Sequence, residues 1–294
     1  MKNSMLAISF ATLLLFVASL AVAGDQLRPY VLAQNAAGSM NAKVTEVKQA
    51  LTGHGFQIAG EYSPYPGAHV IVVTNDVLKS GAAQSDRGGY GAIERVAITE
   101  ADGKLQVSFT NPYWTAGIYR LSTDMSGVAQ GLSAALGHEQ EFGAEGDDWT
   151  DADLRKYNYM MFMPYFTDQT TLAEYGSYAD AVAAVEAGLA AGKGGTAKVY
   201  RVDIPGKDET VFGVAIKEGD GADQTVMATT DTGPLKHTAH LPYEMLVSGN
   251  KVYMLHGKFR IAQSFPMLTM GTFMKIVNAP GAIQDALEAA ARNE

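Results

Sequence analysis

Apolar and polar positions along the chain run through the same rhythm twice. The first round opens with a short apolar strand over 30–34. Val44, Val47 and Leu51 then stand three and four residues apart, which predicts a helix over 41–54. Gly53 and Gly55 flank its end. Residues 56–62 alternate as a strand, Pro64 and Pro66-Gly67 make a turn, and 69–74 is a β-branched run. A polar, glycine-rich loop is expected over 79–91. Strands over 92–100 and 104–110 flank Asp102-Gly103, a strong hairpin signal. Ile118, Leu121, Met125, Val128, Leu132 and Leu136 keep the helical period and predict one closing helix.

The second round begins with a strand expected over 157–166. A helix follows over 177–191, with Tyr178, Val182, Val185 and Leu189 on one face. Strands over 196–203 and 210–217 enclose the turn Pro205-Gly206, and a polar loop covers 218–233. Strands over 238–246 and 251–256 form a hairpin. A helical region is expected from Ser264, with Ser264 as its cap and Pro266 in its first turn. Asn278-Ala279-Pro280-Gly281 interrupts it before a last helix over 283–292. Each half therefore reads β-α-β-β-β-β-α: an α+β fold with helices on one face of an antiparallel sheet. That order is similar to the repeat of the TATA-box-binding-protein-like architecture. The halves are expected at 24–138 and 157–294, with an acidic linker over 139–156 between them.

The N-terminus reads as an address. Lys2 is followed by an apolar stretch from Met5 to Val22, and Ala21-Val22-Ala23 places small residues where a signal peptidase reads. Residues 1–23 are expected to be a signal peptide cut after Ala23, which sends the chain to the periplasm or outside the cell. An uncleaved anchor is the competing reading. No later segment is long and apolar enough to span a membrane.

Composition narrows the chemistry. The chain carries 22 Lys and Arg against 31 Asp and Glu, a formal charge of −9. DNA phosphates call for a basic surface, so nucleic acid is excluded as a partner, while a basic protein partner is compatible. Cysteine is absent, which removes disulfides, thiolate metal sites and cysteine nucleophiles. No Gly-x-Ser-x-Gly elbow occurs. Gly192-Lys193-Gly194 lacks the spacing and the Ser/Thr of a phosphate loop and reads as a helix end.

Several runs resemble the domain-of-unknown-function family 302. Ala42-Lys43-Val44 through Leu51-Thr52-Gly53-His54-Gly55-Phe56 is similar to that family's opening helix and the Gly-Phe that leads into a strand. Leu241-Pro242-Tyr243-Glu244-Met245-Leu246-Val247 with Lys251-Val252-Tyr253 resembles its Leu-Pro strand and partner. Residues 93–98 and 102–112 occupy the same place in the first half. At the position of the family's Phe-Gly-Asn-Pro stand Val73-Thr74-Asn75-Asp76 and Phe212-Gly213-Val214-Ala215. The resemblance implies a tandem pair of such domains. It transfers no catalytic residue, because the family's activity is unknown.

Three functional readings remain. The leading one is a non-enzymatic binding or accessory protein with an apolar or amphiphilic small ligand at an aromatic and Met-rich seam. Its candidate residues are Tyr113, Trp114, Tyr159, Met161 and Phe259. The second is soft-metal handling, with Cu(I) held by the thioethers of Met267, Met270 and Met274 and by His256. Adaptable core filling is the ordinary use of such a Met stripe. The third is an enzyme with a dispersed acid/base site drawn from Glu94, Arg95, Asp102 and His69. His237 and His240 are the one close His pair, and they would share an ion only on a helical or bulged segment. The acidic run 147–153 lacks the register of a calcium loop. No cofactor is assigned.

Overall fold

The computed structural model describes residues 26–293. The expected signal peptide lies outside them. Among the described residues, no helix is long and apolar enough to cross a membrane.

The first half runs β1 (Tyr30–Ala36), α1 (Met40–Gly53), β2 (Gln57–Tyr62), β3 (Ala68–Thr74), α2 (Asp76–Ala83), β4 (Glu94–Ala101), β5 (Lys104–Thr110), α3 (Pro112–Ile118), α4 (Ser126–Leu136) and β6 (Gln140–Phe142). The alternating runs became strands, and α1 buries Val47 and Leu51 of the expected stripe. His54 ends that helix, with its ring Nδ1 2.8 Å from the Ala50 carbonyl. Two features depart from the sequence pattern. Helix α2 falls partly in the segment read as a polar loop. Asn75 caps it by accepting from the Leu78 N–H at 2.9 Å, and Leu78 and Ala82 bury its inner face. The single closing helix is broken into α3 and α4, with Arg120 in left-handed backbone between them. All six of its periodic apolar residues are nevertheless buried.

Next come α5 (Asp151–Leu154), β7 (Thr170–Glu174), α6 (Tyr178–Ala190), β8 (Thr196–Asp203), β9 (Glu209–Ile216), α7 (Asp223–Thr230), β10 (Tyr243–Ser248), β11 (Lys251–Met254), α8 (Gly257–Ala262), α9 (Met270–Lys275) and α10 (Ala279–Arg292). The expected strand over 157–166 does not form: the segment is a loop, and the second sheet opens with β7 instead. Apolar residues on both faces of a strand require cover on both sides, but only Tyr157 and Phe166 at its two ends are buried. The helix expected from Ser264 is also displaced. His256 caps α8, whose N-terminus lies seven residues earlier, and Thr269 caps α9. Helix α7 occupies the second expected polar loop. The segment read as a linker carries β6 and α5, and Thr150 and Asp153 close a capping box on α5.

Five strands of the first sheet follow the same order as the five of the second, and β6 at the first sheet's edge has no counterpart. The first is β2-β3-β4-β5-β1-β6 and the second is β8-β9-β10-β11-β7 read from its other edge. All their pairings are antiparallel, as an α+β fold of this kind requires. Helices α1 and α4 cover the outer face of the first sheet, and α6 and α10 that of the second. Period-two alternation sends successive side chains of β10 to opposite faces. Tyr243, Met245 and Val247 join the core under α6 and α10, while Leu246 packs in the core of the first half. The sheets therefore stack on their inner faces. Edge strand β2 lies against edge strand β8, and a Cβ on Gly60 would come within 2.1 Å of the Val199 carbonyl oxygen, so only glycine fits there. Strand β4 faces β10 across the centre.

Candidate functional site

The stacking brings charged residues from both sheets into one buried centre. Arg95 on β4 and Glu244 on β10 form an ion pair, both nearly inaccessible to solvent. Arg260 on α8 reaches the same carboxylate, its Nε donating to Glu244 Oε2 at 3.0 Å. Arg260 Nη1 donates to Ser264 Oγ and to His240 Nδ1, each at 2.8 Å. That contact makes Nδ1 an acceptor, so the neutral ring carries its proton on Nε2, 3.2 Å from the Tyr243 hydroxyl. Burial, reinforced by the Arg260 charge, holds the His240 pKa well below the ordinary histidine range. Glu94 points to the other face of β4, where the hydroxyls of Thr110 and Thr115 donate to it. Burial lifts its pKa to about 8. The void beside Arg95, Arg260, Tyr30 and Trp114 is only about 10 Å³, room for one water at most. This centre has no space for a substrate.

A true recess opens at the edge of the seam. It measures about 520 Å³, within the range of small-ligand sites. Phe142 at the end of β6 supplies one wall. The loop after α7 supplies Leu235 and His237, and the segment from α8 to α9 supplies Phe265, Met267 and Leu268. The rings pack as a cluster: His237 lies 5.4 Å from Phe142 and 5.0 Å from Phe265, centroid to centroid. Glu145, Thr230, Thr232, Thr269 and Thr272 give polar edges.

His237 is the oriented polar group of this recess. The carboxylate of Asp231 accepts from the His237 backbone N–H at 3.0 Å and lies 3.2 Å from ring Nδ1. An acceptor at Nδ1 places the neutral ring's proton there and leaves Nε2 as an acceptor. Nε2 lies against Gly143, whose φ is 101° and where a Cβ would come within 2.9 Å of it. Glycine is needed at that position on both counts.

The sequence-derived candidates are dispersed. Trp114 is buried and donates from Nε1 to Gln263 Oε1 at 3.3 Å. Phe259 is buried against Tyr157 and Phe166. Tyr113 lines a different and larger recess of about 830 Å³, where Arg28, Arg155, Asp124 and Asp151 intermix. There Arg155 pairs with Asp151 and Arg28 donates to the Asp147 carbonyl, so the lining is a mixed-charge surface and not an apolar one. Tyr159 donates to the carbonyl of Leu268, on the rim of the seam recess. Met161 projects into solvent.

Met267, Met270 and Met274 are all exposed, and α9 begins only at Met270, so they do not share one helical stripe. His256 is occupied at the N-terminus of α8, where its Nδ1 accepts from the Lys258 N–H at 3.2 Å. Among the described residues, no group of three or more His, Cys, Asp or Glu could hold a metal ion. His237 and His240 do lie on a helical turn, but each ring takes a different partner. The suspected acid/base set is split as well: Asp102 sits in the β4–β5 turn and His69 bonds Ser63 and Glu61.

Phe142, Leu235, Phe265 and His237 were not readable as a lining, because they come from separate segments of both halves. No family model, curated protein or solved structure matches the chain.

Proposed function

We propose that the chain is an exported, non-enzymatic binding or accessory protein that takes a small amphiphilic ligand in the seam recess. The observation that carries this reading is an apolar, aromatic-walled recess of about 520 Å³ with one oriented polar acceptor, His237 Nε2. The ligand's apolar body would lie among Phe142, Leu235, Phe265 and Leu268, and a hydroxyl at its polar end would donate to His237. The five-strand order common to both sheets supports reading the halves as a tandem pair resembling the domain-of-unknown-function family 302.

The test is calorimetric titration with a medium-chain fatty alcohol and a short-chain quinol, alongside thermal melting. Saturable heat and a raised Tm are expected. Thr232 is exposed at the rim, so Thr232→Trp should fill the recess and abolish binding without unfolding the chain. His237→Phe should weaken binding roughly fivefold to tenfold, the worth of one hydrogen bond. No heat and no shift with either compound would remove this reading.

A further inference from the structure

The loop between α5 and β7 exposes side chains that nothing in the fold explains. Phe162 is 97% exposed and Met161 is 77% exposed, with Met160 and Tyr165 also open to solvent. Ten consecutive residues, 157–166, carry no charge. Phe162 sits in left-handed backbone at φ 68°, a conformation that disfavours a bulky residue. The loop is nonetheless held in place. Tyr157 donates to the Ala262 carbonyl at 2.9 Å, Phe166 packs on Phe259, and Tyr159 bonds the Leu268 carbonyl. Met267, next to Leu268 in the chain, and Met270, Met274 and Val277 farther along it are also about half exposed.

We propose that this surface docks on a phospholipid bilayer, with Phe162 at the inserted tip. Three features favour lipid over a protein partner. Phe162 is almost wholly exposed and so projects from the surface, and a fluid bilayer accepts a projecting side chain without a matching pocket. Its chemistry is graded as an interface is graded: Phe162 and Met161 at the end, Tyr159 and Tyr165 around them, and exposed Lys156 at the base. Tyrosines concentrate at the headgroup level and lysines reach the phosphates. The patch also abuts the recess, since Tyr159 bonds Leu268 and Met267 lines the recess wall. An amphiphile leaving the bilayer would enter beside the docked tip. The docking itself stands on the loop and not on what the recess binds.

The test is co-sedimentation of the protein, recovered from its host in soluble form, with vesicles of phosphatidylethanolamine and phosphatidylglycerol. Wild type should partition onto vesicles. Phe162→Asp should lower the partition coefficient roughly tenfold to a hundredfold, the range expected for losing one buried Phe side chain. Phe162→Trp should retain partitioning and add an emission that shifts to shorter wavelength on vesicle addition. Trp114 is buried and half-buried Trp149 packs within the aromatic cluster, so both give a steady background.

Phe162 makes no packing contact worth losing, so neither variant should unfold the chain. Absent partitioning by wild type, or equal partitioning by Phe162→Asp, would overturn the proposal. A dimer in sedimentation velocity that Phe162→Asp dissolves would also overturn it, by assigning the patch to a second copy. Solution titration of the recess fails or succeeds independently, so the two readings remain separable.

Discussion

Between the sheets, Arg95, Glu244 and Arg260 are charged side chains with almost no exposure. On the loop before β7, Met161 and Phe162 are apolar side chains with almost no cover. Both invert the ordinary distribution, and such inversions are the informative ones. They differ in whether the chain answers its own need. Glu244 meets two guanidinium groups, and Arg260 also reaches Ser264 and His240. The centre is sealed from solvent and ties one sheet to the other, although Arg95 Nε finds no hydrogen-bond partner in it. The loop finds no equivalent inside the molecule. Its exposed surface is where the proposed bilayer contact would be made.

The largest effect should come from disrupting the closed centre. Glu244→Leu leaves Arg95 and Arg260 buried without a carboxylate and should cost about 3–5 kcal/mol. Arg95→Met should cost less, because Glu244 keeps Arg260. Urea unfolding of both variants checks the order. The double variant should recover part of the loss, since the two residues touch and their effects do not add. If Arg95→Met were the more damaging change, Arg260 would not be sharing the carboxylate as described.

The pH dependence sharpens the same point. Burial raises Glu94 from an unfolded value near 4.5 to about 8, and raises Asp223 to about 7. For a raised carboxyl, the native state binds the proton more tightly. Its stabilisation is full below the unfolded pKa and is lost as pH rises through the folded one. His240 runs the other way. Its folded pKa is depressed, so its contribution is present above about 6.5 and lost on acidification. Between pH 6.5 and 8 the carboxyl terms dominate among these groups, since little of the His240 term is left to gain. Two raised carboxyls over this window set a ceiling of about 4 kcal/mol, from about 1.4 kcal/mol per pKa unit, and their own deprotonation within it brings the expected fall to about 2 kcal/mol. Glu94→Gln should flatten the fall, as read by Tm against pH. A wild-type Tm that rises over this window would show that Glu94 is ionised in the fold.

Much of the scaffold was legible in the chain and little of the site was. Strands β5 and β8 occupy the expected residues because alternation reports a half-covered face directly. Helices α2 and α7 were missed because eight residues between Gly-rich turns carry too few turns to show a period. Residues 157–166 misled for a physical reason. Periodicity reports which side chains are apolar, and it does not report whether anything covers them. The recess needed the fold itself, since Phe142 belongs to the first sheet and His237 to the second half.

The smallest predicted effect bears most directly on the comparison. Phe162 holds a left-handed backbone that costs a non-glycine residue about 1–2 kcal/mol, and its side chain returns almost nothing at 97% exposure. Glycine adopts that conformation freely and loses about 0.5–1 kcal/mol of that gain to its greater unfolded-state entropy. Phe162→Gly should therefore leave stability unchanged or raise it by up to about 1.5 kcal/mol, measured by urea unfolding. A charged centre that weakens when altered and a loop that does not would separate residues kept for the fold from residues kept for contact. A loss above about 1 kcal/mol would instead place Phe162 in intramolecular packing and make the loop one more part of the scaffold.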